Sequence, residues 1–155
     1  MNANGIQTQT PATYMLQFVI GGSAAANTSV NASFLENYGS VAVDNLHVPP
    51  NQVWSLARMY VPAALTINML VNIKVDGISQ ELNTDTSVMI VNSVNVPINP
   101  FERHMQIDSN QTFYFYGVTD TANSSTDSVT ETVYLYLTKY PLAMAKALNS
   151  KGISL

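Results

Sequence analysis

Across residues 65–75 apolar side chains fall at every second position: Leu65, Ile67, Met69, Val71, Ile73 and Val75 share one face, and Thr66, Asn68, Asn72 and Lys74 take the other, with Leu70 the exception. A period of two sets one side of an extended strand against a core and the other in water, whereas a helix would repeat every 3.6 residues. Asp76-Gly77 follows and supplies the positive φ angles of a two-residue hairpin turn, so residues 78–82 are expected to return beside this strand.

The pattern recurs. Residues 14–20 set Tyr14, Leu16, Phe18 and Ile20 against Met15, Gln17 and Val19, and stop at Gly21-Gly22. Residues 41–48 and 53–61 read as strands separated by Pro49-Pro50-Asn51-Gln52, because proline cannot donate to a ladder, and Pro62 closes the second of them. Residues 86–92 and 94–98 are rich in β-branched side chains and end at Asn99-Pro100. Residues 112–118, TFYFYGV, and 130–139, TETVYLYLTK, are joined by a loop of mostly Thr, Ser, Asp and Asn. Residues 24–40 read either as a strand around 30–34 or as a loop. After Pro141, residues 142–148 are good helix formers, and residues 149–152 should end the helix. Eight or nine short strands with no helix between them predict one all-β domain over residues 14–140, an antiparallel β-sandwich with Greek-key links. A flexible polar arm, residues 1–13, precedes it, and a short C-terminal helix and tail, residues 141–155, follow.

Composition narrows the function. Charged residues make up 10% of the 155, against about a quarter in a typical soluble domain. Solubility rests instead on 16 Asn, 14 Ser and 14 Thr. A net charge of -4 gives no positive field for a phosphate backbone, so direct nucleic-acid binding is not expected. The absence of cysteine excludes disulfides, thiolate zinc sites and thiol catalysis. No signal peptide or transmembrane stretch is read at the start or along the chain. With ten carboxylates there is little to titrate in acid, which suits an extracellular particle as well as simple compositional drift does. Sequons stand at Asn27, Asn31, Asn110 and Asn123, and several are expected by chance in a chain this rich in Asn, Ser and Thr.

Nothing in the sequence marks an enzyme. His47 and His104 lie at a strand end and after a turn, in no metal-ligand spacing, and no nucleophile elbow or phosphate loop is present. Residues 120–127, DTANSSTD, offer oxygens to a calcium ion but lack the EF-hand pattern, and read equally as a solvated connection. No cofactor is expected.

The late strands carry what a plain sandwich does not need. If Phe113 and Phe115, and Val133, Leu135 and Leu137, face the core, then Tyr114, Tyr116, Tyr134 and Tyr136 face outwards. One face of residues 53–61 carries Trp54, Leu56, Arg58 and Tyr60, residue types enriched at interface hot spots. Three readings stay open: burial under the terminal segments of the same chain, contact with neighbouring subunits, and stacking of sugar rings.

This short, cysteine-free, all-β chain, with its polar arm and Asn/Ser/Thr-rich loops, resembles the single jelly-roll capsid proteins of icosahedral viruses, including archaeal ones. The resemblance covers about residues 13–140 and implies a jelly-roll sandwich that acts as a structural virion protein, in the shell or at a vertex. It also implies copies of itself, and a second coat protein, as partners. The arm has no lysine or arginine, unlike arms that bind a genome. Shell contacts are then expected at Trp54, Arg58, Tyr60, Tyr114, Tyr116, Tyr134 and Tyr136. The alternatives are a carbohydrate- or receptor-binding jelly roll, with a glycan as partner, and a hydrolase using His47 or His104.

Overall fold

The computed structural model describes residues 8–36, 42–62, 65–80, 88–90, 96–98 and 105–155. They form β1 (Thr10–Ile20), β2 (Ser29–Glu36), β3 (Leu46–His47), β4 (Gln52–Val61), β5 (Met69–Val75), β6 (Ile78–Gln80), β7 (Val88–Ile90), β8 (Val96–Ile98), β9 (Met105–Ile107), β10 (Thr112–Thr119), β11 (Val129–Pro141) and α1 (Leu142–Ser150). The strands pair antiparallel in the order β6-β5-β10-β2-β1-β11-β4-β8, with β3 also on β10, β7 on β5 and β9 on β4. The sheet curls until its halves face each other. The Trp54 ring of β4 lies 6.0 Å from Phe113 of β10, although three strands stand between them in the sheet.

Alternation decides which side chains line the interior. β1 buries Tyr14, Leu16, Phe18 and Ile20, β5 buries Met69, Val71, Ile73 and Val75, β10 buries Phe113 and Phe115, and β11 buries Val133, Leu135 and Leu137. Phe34 of β2 links the halves, its ring 6.2 Å from Tyr14, 6.0 Å from Phe113 and 6.1 Å from Phe115, all edge-on. The expected hairpin turn is present, with φ of 50° at Asp76 and 80° at Gly77. Asp76 does more than turn the chain, because its Oδ1 accepts the Thr112 amide at 2.9 Å and ties the turn to β10.

Several boundaries differ from the sequence reading, each for a tertiary reason. β1 begins at Thr10, inside the stretch expected as a free arm, because β11 runs on far enough to set Lys139 and Thr138 opposite Thr10 and Pro11. The strand expected from residue 65 begins at Met69. Leu65 and Ile67 keep their buried places, but the Thr66 and Ile67 amides are taken by the Glu131 carboxylate at 2.8 and 2.9 Å instead of by a strand. The strand expected over residues 41–48 contracts to β3 and a bridge from Val43 to Phe34. On that edge of β10, β2 already pairs with Tyr116, Gly117 and Val118, so β3 meets only Thr112 and Phe113. Within residues 24–40 the strand alternative holds, as β2. β9 was not foreseen, since three residues are too few for a period to be read.

Pro141, with φ of -59°, ends β11 and opens α1, whose first amide, that of Leu142, donates to the Asn51 carbonyl at 2.9 Å. Ala145 and Leu155 pack on Val53 of β4, joined by the partly buried Tyr140, Leu142 and Leu148. The outer side of the first half of β4 is therefore covered by the chain itself.

Candidate interaction faces

Strand register determines which outward side chains meet. On the outer side of β1, β11 and β4, Tyr134 stands between Met15 and Tyr60, and Tyr136 between Thr13 and Arg58. The Arg58 guanidinium lies 4.7 Å from the centre of the Tyr136 ring. On the outer side of β5, β10 and β2, Tyr114 stands opposite Lys74, and Tyr116 between Asn72 and Asn31. Lys74 Nζ lies 5.9 Å from the Tyr114 ring centre and 5.4 Å from that of Tyr116. Each such contact is worth about 0.5–1 kcal/mol at an exposed site. The five tyrosines are half-buried and Arg58 is exposed. They do not form one patch, because the two halves of the sheet turn their outer sides away from each other.

Trp54 does not belong with them. It is 4% exposed, stacked on Tyr14 at 6.1 Å, and its Nε1 donates to Gln52 Oε1 at 2.8 Å. The cause is a β-bulge. β11 pairs Tyr136 with Arg58 but Leu137 with Leu56, so Ala57 is an extra residue, and the face alternation of β4 reverses across it. Trp54 and Leu56 before the bulge, and Met59 and Val61 after it, all point inwards. The bulge leaves Arg58 and Tyr60 outside and carries Trp54 into the core.

Lys139 Nζ caps this end of the core, 4.5 Å from the Trp54 ring centre and 5.3 Å from that of Tyr14, and pairs with Glu36 Oε1 at 2.7 Å. Burial, and then the Glu36 carboxylate that accepts its hydroxyl hydrogen, push the Tyr14 phenol well above the ordinary tyrosine range. It stays neutral and serves as a packing and hydrogen-bonding group.

His47 Nδ1 shares a hydrogen bond with Thr112 Oγ1 at 2.9 Å, across the β3–β10 pair. His104 lies outside the described residues. In the loop expected to be either a calcium site or a connection, Asn123 is buried and its Nδ2 donates to the Gly21 and Asp127 carbonyls at 2.9 and 3.0 Å. Those two bonds use the amide that a glycan at this sequon would need, whereas Asn27, Asn31 and Asn110 are exposed. Among the described residues no group of three His, Asp or Glu converges as a metal cage would.

Sequence reasoning missed Glu131, although its parity was a signal: it shares the inward face of β11 with Val133, Leu135 and Leu137. At 4% exposure its carboxylate joins β11 to the segment leading into β5, through the Thr66 and Ile67 amides. Burial raises its pKa, and the two amide hydrogen bonds only partly oppose the shift. A folded-state pKa above the unfolded one means that the stability this group contributes is full below the ordinary glutamate range and is lost as pH rises through the raised value. The melting temperature of the wild type minus that of Glu131→Gln should therefore fall as pH is raised from about 4 towards 7. A difference that grows with pH would mean that the hydrogen bonds outweigh burial.

Comparison with known proteins finds no family model that matches this chain and no curated protein significantly similar to it.

Proposed function

We propose that this chain is a structural subunit of a virion, a component of its capsid shell or vertex in the extracellular particle. It assembles with copies of itself, and with a second coat protein, through the faces and edges of its sheet. The observation that carries this reading is the pair of outward tyrosine faces, each with a cation laid on its rings. Rings with an apolar body and a polar tip are what protein interfaces enrich. Two such faces, turned away from each other, let one subunit touch neighbours on both sides.

The order of pairing supports a jelly roll. Within it the pairs β1–β11, β2–β10, β4 with β8 and β9, and β5 with β6 and β7 are nested as in one long hairpin, and β1–β2, β4–β11 and β5–β10 join strands side by side as that hairpin winds on itself.

Light scattering on the purified protein, over a range of concentration and from about pH 3 to pH 7, is expected to find rings or larger particles. A strict monomer that binds in a glycan screen would replace this reading with a carbohydrate- or receptor-binding module. The exposed Asn31 beside Tyr116 favours that second reading, because a side-chain amide next to a ring suits a sugar.

A further inference from the structure

Lys74 and Arg58 lie over tyrosine rings on the sheet faces, and neither has a carboxylate partner among the described residues, where Lys139 and Glu36 form an ion pair. The loop from β10 to β11 is the converse: Asp120 and Asp127 are exposed, and residues 120–128 contain no cation.

This loop is built as a knob. Besides the two bonds from Asn123 Nδ2, Asn123 Oδ1 accepts the Ser125 amide at 3.1 Å, and the Ser23 amide donates to the Ser125 carbonyl at 2.7 Å. The Asp120 amide donates to the Asn68 carbonyl at 2.9 Å. Gly22 passes so close beneath that a Cβ there would fall 1.9 Å from the Thr126 carbonyl oxygen. Anchored in this way to residues 21–23 and 68, the loop is held at one end of the sheet, away from the face of its own chain that bears Lys74.

We infer that this acidic loop docks on the Tyr114–Lys74–Tyr116 face of a second copy of the chain. The inference rests on the assembly reading above and names its contact. Asp120 and Asp127 meet the Lys74 ammonium, and the Ser124, Ser125 and Thr126 hydroxyls meet the phenol oxygens. The knob is ordered beforehand by its hydrogen bonds, so little of its freedom is lost on docking. Because they are different patches of one chain, the contact is head-to-tail, and copies close into a ring or extend as a filament without a twofold axis. Opposite charges set its register and make it sensitive to salt.

Exchange of the charges tests it. Light scattering would follow wild type, Lys74→Glu, the Asp120→Lys/Asp127→Lys double variant, and an equimolar mixture of the two variants. Each would be run at ~0.1 M and ~1 M NaCl, where the Debye length is about 10 Å and 3 Å. Wild type should associate more at the lower salt, and each variant alone should need about ten-fold more protein or beyond. The mixture should recover, because each reversed surface then finds its complement. Lys74→Met keeps the side-chain stem across the rings without the charge and should fall between wild type and Lys74→Glu. It also carries the test if Lys74→Glu fails to fold, which a thermal melt would reveal. If Lys74→Glu is folded and assembles like wild type, or the mixture does not recover, this contact is wrong while assembly stands. A wild type that is monomeric at every concentration and salt overturns both.

Discussion

Replacing Trp54 by alanine is expected to remove about 3–5 kcal/mol of folding stability, a large share of the roughly 5–15 kcal/mol that a domain holds. The indole fills space between two sheet halves: it stacks on Tyr14, meets Phe113 edge-on at 6.0 Å and lies under Lys139. Alanine would leave a cavity there, leave Gln52 Oε1 without its donor, and remove one of the two rings over which Lys139 sits. Urea unfolding would measure the loss, and the midpoint should move at constant slope. A loss below about 1 kcal/mol, typical of surface sites, would return Trp54 to the outer face. The result also bears on how assembly is tested. Tyr134 and Tyr136 can be truncated to probe contacts between copies, but Trp54 cannot, because its loss would act through folding.

Deleting Ala57 should be more damaging than any single substitution in β4. Without the extra residue the strand regains a strict period of two, and one half must turn over. Either Trp54 and Leu56 swing out while Val53 and Ser55 swing in, or Met59 and Val61 lose the core. β4 pairs with β11, β8 and β9, so the disruption would reach three neighbours. The expected outcome is a chain with no cooperative thermal transition, seen by circular dichroism and by loss of dispersed amide resonances. Alanine to glycine at the same position keeps the residue count and should retain the fold, at a cost of about 0.5–1 kcal/mol. If the deletion melts like wild type, the bulge does not set the faces of β4.

Much of the inward and outward pattern was legible in the sequence. Strands β1, β5, β10 and β11 alternate without interruption, and their faces follow from the backbone alone, because successive side chains on a strand must point to opposite sides. The Asp76-Gly77 turn was legible for a similar reason, since positive φ at both central positions restricts the residues that fit. Outward Tyr114 and Tyr116 follow from the inward Phe113 and Phe115 beside them, and Tyr134 and Tyr136 from the inward Val133, Leu135 and Leu137. What could not be read was any property that depends on a partner far along the chain. Glu131 binds amides 64 and 65 residues away, and without them its place on an apolar face looks like an error of pattern. The division of the tyrosines into two faces required the strand order, because alternation says in or out but not which side of the molecule. The true start of β1 and the shortness of β3 waited on what β11 and β10 had left to offer. Trp54 is the clearest case: its type and spacing read as an interface residue, and one unpaired alanine, visible only once β4 is laid against β11, turned it into the core. Local sequence determined the period of each strand, since that is steric and short-ranged, and the tertiary structure decided the phase, since phase is set by pairing with strands distant in sequence.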